Sequence, residues 1–305
     1  MRSQCWLINT RSGRREGERL AQALESLVTV VPIDFTQLEQ QLAFAGRFDR
    51  IIVAGGDGTF SAVLTSRFLP DRPVALVPLG TANDLARELG TFRAVRRGSW
   101  SELPEMIDQF HERPHACWDI QSGETTLSFC NYISLGFEGA VVSDFDRWRN
   151  QTTIHSRIVN RLMYVWFGLR HWFLRLRGIG VRVDRGASYF IRPTRGIIFT
   201  NIQSHMGCGI SAQGVNPSDD ALECVIASSP LDYARMVLSL WSPVPAPRSL
   251  CRGSFIEISD IPIGTAIQVD GEAARPLPDK HATITFRKFA RVLVPKARSS
   301  KHSSG

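Results

Sequence analysis

Short apolar runs alternate with amphipathic stretches through the first third of the chain. Residues 5–8, 29–33, 50–54 and 74–77 are dense in Val, Ile, Leu and Trp and predict buried strands. Between them, residues 13–27 place Leu20, Ala23, Leu24 and Leu27 on one helical face, and helices are also predicted over 38–44 and 60–68 and after 80–84. Strand and helix in turn at this pitch predict a doubly wound α/β domain, a parallel sheet with helices on both faces. After about Pro114 the pattern changes. Strand-like runs at 116–120, 126–133, 180–183, 196–200, 222–226, 255–259, 265–269, 282–286 and 291–294 are separated by Gly, Pro, Asp and Ser. They predict a mostly antiparallel β-sandwich domain with one long helical insertion at about 157–177. The expected division is therefore 1–115, an α/β domain; 116–297, a β-rich domain; and 298–305, a disordered tail.

Composition narrows the classes. A 305-residue chain with 43% hydrophobic and 21% charged residues is ordinary for a folded soluble protein of two domains. The balance of 36 basic to 29 acidic residues leaves +7, which favours an anionic partner: nucleotide, nucleic acid or acidic membrane surface. Six cysteines (5, 117, 130, 208, 224 and 251) show no C-x-x-C spacing, which argues against zinc and for buried thiols in a reducing compartment. No apolar segment is long enough to span a bilayer and no signal peptide is evident, so a cytoplasmic protein with peripheral membrane contact is expected.

Two glycine-rich turns carry the chemistry: Gly55-Gly56-Asp57-Gly58-Thr59 and Gly80-Thr81-Ala82-Asn83-Asp84. Each follows a predicted strand and opens a predicted helix, where backbone N–H groups converge on an anion. Glycine lets a phosphate approach the backbone closely, while Thr59 and Thr81 add hydroxyl donors. Asp57 and Asp84 are hard oxygen ligands suited to holding Mg²⁺ through water. The chain lacks both G-x-x-x-x-G-K-[ST] and G-x-G-x-x-G, which disfavours a P-loop site and a Rossmann dinucleotide site.

With Pro78-Leu79 before the second turn and Leu85-Ala86-Arg87 after it, this pair of motifs resembles the catalytic domain of diacylglycerol kinases and related bacterial lipid kinases. The first turn is shared with NAD kinases and phosphofructokinases; the second is more specific to the lipid kinases. The likeness runs along nearly the whole chain. Ile8-Asn9-Thr10-Arg11-Ser12-Gly13 resembles that family's first nucleotide loop, with Thr10 where the family has Pro. The resemblance implies an ATP site lined by Asn9, Thr10, Arg11, Ser12, Gly13, Thr36, Gly55, Gly56, Asp57, Gly58, Thr59, Phe60, Ser61, Gly80 and Thr81. It also implies that Asp119, in Cys117-Trp118-Asp119-Ile120, joins Asp57 and Asp84 in a carboxylate–water–Mg²⁺ network.

Further likenesses lie in the second domain: residues 131–139, and Thr200-Asn201 through Met206-Gly207-Cys208-Gly209. Asn216-Pro217-Ser218-Asp219-Asp220-Ala221-Leu222-Glu223 resembles a loop that holds a structural Mg²⁺ in family members. The implied ligands are Asp219 and the carbonyls of Asn216 and Ala221, but Asp220 replaces the usual Gly and Glu223 the usual Asp. Asp270-Gly271-Glu272 matches the family's Asp-Gly-Glu motif without departure. A lipid hydroxyl is a poor nucleophile until a carboxylate accepts its proton; the sequence leaves Asp270 and Glu272 both open for that role, and Asp-Gly after a strand also reads as a hairpin turn.

No acidic residue falls between Asp146 and Asp184, whereas eight arginines do. On the predicted helix Ile158, Leu162, Val165, Trp166, Leu169, Trp172, Phe173 and Leu176 form one stripe, with Arg157, Arg161, Tyr164, Gly168, His171 and Arg175 opposite. Such a helix binds an anionic bilayer surface, or packs its apolar face on the β domain; His171 reads as a solvated residue. No nucleic-acid-binding motif accompanies it. The expected function is an ATP- and Mg²⁺-dependent lipid kinase, diacylglycerol-like in its acceptor, with Asp57, Asp270 and Glu272 as catalytic candidates and a homodimer left open. A soluble-metabolite kinase of the NAD-kinase type and a non-catalytic lipid-binding protein on a kinase scaffold are the alternatives.

Overall fold

The computed structural model describes residues 2–79, 83–96, 98–152, 157–205, 209–239 and 245–296. The chain divides into two compact units, Met1–Pro114 with Ala290–Gly305, and His115–Phe289.

The first unit alternates strand and helix, as its hydrophobic pattern requires: β1 (Gln4–Ile8), α1 (Ser12–Leu24), β2 (Thr29–Pro32), α2 (Leu38–Ala45), β3 (Arg50–Gly55), α3 (Asp57–Leu64), β4 (Val74–Pro78), and three short helices α4 (Asp84–Glu88), α5 (Thr91–Val95) and α6 (Leu103–Asp108). The strands are parallel in the order β2-β1-β3-β4. All are uninterrupted buried runs except the outer strand β2, which is what a sheet covered on both faces demands. One face packs Trp6, Ile8, Ile52 and Val77 against Leu20 and Leu24 of α1 and Leu103 and Ile107 of α6. The expected boundary leaves residues 290–297 in the second domain. Instead the chain returns: Val292 and Leu293, both fully buried, pair in parallel with Val74 and Ala75 and extend the first sheet.

β5 (His111–Ser122) carries the chain into the second unit. There follow β6 (Thr125–Phe129), β7 (Tyr132–Gly136), α7 (Phe137–Gln151), α8 (Arg157–Arg170), β8 (Ile179–Val183), β9 (Ser188–Ile191), β10 (Gly196–Thr200), β11 (Ser204–His205), β12 (Gly209–Ile210), β13 (Leu222–Ala227), α9 (Pro230–Leu238), β14 (Ser249–Gly253), β15 (Phe255–Ser259), β16 (Ile267–Val269), β17 (Glu272–Ala274) and β18 (Ala282–Val294). One antiparallel sheet runs β14-β13-β10-β7-β16-β17. A second set pairs residues 282–285 of β18 with β15, β15 with β8, β8 with β9, and β5 with β6. Trp118, Phe129, Ile133, Phe199, Ile256 and Ile284 come from both sets and share one core, which makes the unit a sandwich.

Several elements differ from expectation: β9, β14, β17 and α9 are additional to the predicted ones, and the predicted strands 282–286 and 291–294 are the single strand β18. The predicted strand 126–133 is two strands, because the backbone leaves the ladder at Cys130 and Asn131 to bond a side chain described below. The predicted helix 157–177 ends at Arg170: after a short turn, Leu176 pairs with Thr194 in a β-bridge and is buried. Helix α7 is additional to the predicted elements; its inward face is Val141, Val142 and Phe145. The expected tail 298–305, and the residues Gly80, Thr81 and 206–208, lie outside the described residues.

Candidate active site

In the first unit the chain leaves β1 and β3, which are neighbours, toward different sides, because β2 follows on one side of β1 and β4 on the other side of β3. Parallel sheets bind ligands beyond the carboxyl ends of their strands at such a reversal of strand order. The connections there are Asn9–Thr10–Arg11 into α1 and Gly55–Gly56 into α3. They are tied together: the Asn9 backbone N–H donates to the Ala54 carbonyl at 2.9 Å, and Asn9 Nδ2 donates to Thr59 Oγ1 at 2.9 Å. Asn9 Oδ1 accepts the Arg11 N–H, and Ser12 N–H donates to the Asn9 carbonyl, which turns the loop tightly without the Pro the family has at position 10. Gly55 is obligatory in this turn, since a Cβ there would stand 2.6 Å from Thr59 Cβ. Gly13 and Gly58 fall in the first turns of α1 and α3.

The second turn joins the first through Asp57. Its Oδ2 accepts the Asp84 N–H at 3.0 Å and its Oδ1 the Leu85 N–H at 3.3 Å, so Asp57 caps α4. Asp84 is buried beside it, and Asn83 is fully buried with neither side-chain polar atom bonded among the described residues. Asn83 Oδ1 lies near Gly56, and a Cβ on that glycine would stand 3.9 Å from it. The unbonded Asn83 oxygen next to Asp84 suits a hard cation, while both Asp57 oxygens already accept backbone N–H groups. Thr36 N–H and Oγ1 both donate to Asp34 Oδ1, which with Arg11 nearby holds the Asp34 carboxyl below its usual range. Ser61 is half-buried in α3. The Phe60 ring is fully buried in the core, which leaves its backbone to face a ligand.

In the second unit Asp270 and Gly271 have φ of 49° and 88°, which makes the turn between β16 and β17 a two-residue hairpin with positive φ at both positions. Asp270 is buried. Its Oδ2 accepts the Cys130 N–H at 2.9 Å, and its Oδ1 accepts those of Asn131 and Tyr132 at 2.8 and 3.0 Å. Its carboxylate is committed to holding the β6–β7 break. Glu272, just past the turn, is exposed. Partial burial by its neighbours, then the Asp146 carboxylate, push its carboxyl above the usual range, with Arg149 opposing. Asp146 sits on α7, pairs with Arg149 at 3.0 Å and accepts the Ala273 N–H.

Asp119 belongs to the second unit, where its Oδ1 accepts from Ser128 Oγ at 2.5 Å and faces Arg287 at 3.5 Å. In the 216–223 loop the Asn216 carbonyl accepts the Asp219 N–H, Asp219 Oδ1 accepts the Ala221 N–H, and Asp219 Oδ2 accepts from Arg252. Burial pushes the Glu223 carboxyl up to about 7 although Arg252 Nε donates to it at 3.0 Å. Among the described residues no group of three or more His, Cys, Asp or Glu side chains converges as a metal site.

On α8 the inward residues are Phe167, Met163 and Tyr164, packed on Val141 and Phe145, with the Tyr164 and Phe145 rings stacked at 4.0 Å. The predicted stripe faces out: Leu162, Val165, Trp166 and Leu169 are 56–62% exposed and Phe173 is 87% exposed. Tyr164, expected on the polar side, is therefore part of the packed side. His171 is not simply solvated, since its Nε2 lies 3.0 Å from Asp144 Oδ2. The side chains of Arg157, Ile158 and Arg161 lie outside the described residues. No described helix is long and apolar enough to cross a membrane.

Sequence reasoning missed Asp146, Arg149, Arg252 and Arg287. It also missed the buried pair Glu138–His205, joined at 2.8 Å, with the His205 ring tilted against that of Tyr132. Glu138 and His205 lie in the segments 131–139 and 200–209, but their pairing joins positions 67 residues apart, which no local signal gives.

The diacylglycerol kinase catalytic domain matches residues 4–109 and the diacylglycerol kinase accessory domain matches residues 128–273. Diacylglycerol kinase 2 of Arabidopsis thaliana is 29% identical over 232 residues, covering 66% of this chain and 32% of the relative. Diacylglycerol kinase 1 of the same plant is 25% identical, covering 95% of this chain and 44% of the relative. The chain thus spans less than half the length of these curated relatives. A crystal structure of a diacylglycerol kinase from Bacillus anthracis superimposes with a TM-score of 0.63 at 16% identity, over 96% of this chain and 97% of that one, and so shares the fold. Two adjoining family domains together cover most of the sequence, and the chain belongs to the diacylglycerol kinase family.

Proposed function

We propose that this chain is an ATP-dependent lipid kinase that transfers the γ-phosphoryl group to a lipid hydroxyl, with diacylglycerol as the leading acceptor. The observation that carries this reading is the convergence of the Asn9 loop, the Gly55–Thr59 turn and the Asn83–Asp84 segment at the strand-order reversal of the first unit. The backbone N–H groups of these turns bind the phosphates, with Gly80 and Thr81 of the same motif contributing. Mg²⁺ arriving with the nucleotide would be held by Asp57 and Asp84 and would neutralise the charge on the transferred group. Glu272 accepts the proton of the attacking hydroxyl, since it is exposed and basic while Asp270 is committed to three backbone N–H groups. Asp119, already shared by Ser128 and Arg287, is left to hold β5 and β6 together. The outward apolar face of α8, with the exposed Arg175 and Arg177 just beyond it, meets an anionic membrane where the acceptor resides. The lipid-specific second motif and this apolar face favour a lipid over a soluble acceptor, and the intact carboxylates favour catalysis over binding alone.

The test is transfer of γ-labelled phosphate from ATP, with Mg²⁺, to diacylglycerol, sphingosine and ceramide in mixed micelles, with NAD as a soluble control. Label on a lipid, lost in Asp57→Ala, supports the proposal. Label on NAD alone refutes it.

A further inference from the structure

The loop between β12 and β13 departs from what its resemblance implies. Two of the three groups expected to ligate a structural Mg²⁺, the Asp219 carboxylate and the Asn216 carbonyl, are bonded to the protein instead. The Asn216 carbonyl accepts the Asp219 N–H at 3.3 Å, and Asn216 Oδ1 accepts the Ser218 N–H at 3.1 Å. Asp219 Oδ1 accepts the Ala221 N–H at 3.1 Å, and its Oδ2 receives Arg252 Nη2 at 2.5 Å. The same guanidinium places Nε 3.0 Å from Glu223 Oε1. Glu223 is 3% exposed and lies opposite Arg252 in the β13–β14 ladder, so this contact is fixed by strand register rather than by a floppy side chain.

We propose that Arg252 replaces the structural cation of this loop, so that the loop is clamped by a guanidinium and carries no Mg²⁺. A divalent ion here would have to displace a cation that already bridges two carboxylates in a forked geometry. It would also find the Asn216 carbonyl and the Asp219 carboxylate engaged. Glu223 in place of the family's Asp agrees with this, because the longer side chain spans the gap to Arg252 across the strand pair. The clamp also supports a neighbouring strand. The Pro217 carbonyl accepts the Ala116 N–H at 2.7 Å, so the loop that Arg252 holds in turn holds β5, three residues before Asp119. The clamp makes that support independent of cation concentration. This inference does not rest on the kinase reading, since it concerns folding and metal binding alone.

Thermal unfolding without nucleotide tests it. A divalent ion at about 100 times its Kd stabilises enough to raise Tm by roughly 4 °C in a chain of this size. The wild-type chain is expected to show no rise between EDTA and about 10 mM Mg²⁺. A rise that Asp219→Asn abolishes overturns the proposal, whereas a rise that Asp219→Asn retains belongs to another site and leaves the loop metal-free. Arg252→Ala is expected to lower Tm by roughly 4–8 °C, because it strands a buried and a half-buried carboxylate. Arg252→Lys is expected to fall between, having a charge but no fork. An Arg252→Ala chain as stable as wild type in EDTA refutes the clamp. Should Arg252→Ala fail to fold, the wild-type Mg²⁺ titration and Arg252→Lys still decide.

Discussion

Asp270 and Glu272 are two residues apart in one motif and have opposite surroundings. The turn at Asp270 and Gly271 inserts the first carboxylate into the sandwich, where three backbone N–H groups hold it, and leaves the second outside beside Asp146. A general base must be deprotonated to act, so turnover should rise with pH through the elevated titration of Glu272. Removing the neighbouring negative charge lowers that titration. Asp146→Asn, which keeps an oxygen for the Ala273 N–H, should move the acid limb of the kcat/KM profile to lower pH. Arg149→Gln should move it the other way. Glu272→Gln should reduce kcat by about 10²–10⁴-fold with the fold intact. A profile indifferent to both neighbours would remove Glu272 from the base role. The motif itself is readable in the sequence. The assignment of roles within it is not, because Asp270 meets Cys130 at a separation of 140 residues, and nothing local signals that partner.

At the scale of elements, α8 shows how periodicity identifies a face without saying what covers it. The stripe Leu162, Val165, Trp166, Leu169 does lie on one side, but the core is met by Phe167 and Met163 instead. Six large apolar side chains from Leu162 to Phe173 are consequently 42–87% exposed, next to a stretch with no acid for some distance on either side. An apolar patch of this kind on a basic background has the chemistry that the proposed membrane contact requires. Replacing Trp166 and Phe173 together by Ser removes two large insertions and should weaken binding to vesicles containing anionic lipid by about 10-fold or more. Arg175→Glu with Arg177→Glu should weaken it in a salt-dependent way, since exposed charges are screened. Cosedimentation measures both. Binding that survives all four changes would assign the apolar face to another partner. Helix α7, by contrast, leaves no clear sequence signal: its first turn follows directly from β7 through a glycine at φ 101°, so no polar break marks its start.

At the scale of the molecule, the alternating first third and the strand-rich remainder are legible because each follows one period, and both sheets confirm it. The return of Val292 and Leu293 to the first unit is not legible, since a three-residue apolar run does not say which sheet it joins. The resulting division suggests that the steps of the proposed kinase can be separated by substitution. The nucleotide turns all lie in the first unit; the hairpin base and α8 lie in the second. Gly55→Val drives a branched side chain into Thr59, whose Cβ, Oγ1 and Cγ2 are all 2.6–2.8 Å from the position of a Cβ. It should weaken ATP binding by at least about 10-fold, equivalent to ~1.4 kcal/mol, and leave vesicle binding unchanged. Glu272→Gln should keep both binding activities and lose transfer. The Trp166/Phe173 double variant should keep ATP binding and lose vesicle binding. Calorimetry with ATP and vesicle cosedimentation on the same three folded preparations give the full pattern. A Gly55→Val chain that no longer binds vesicles, or a Glu272→Gln chain that no longer binds ATP, would show that the steps are not divided in this way. Loss confined to the expected assay in each variant would assign nucleotide binding, proton transfer and membrane contact to three separate parts of the chain.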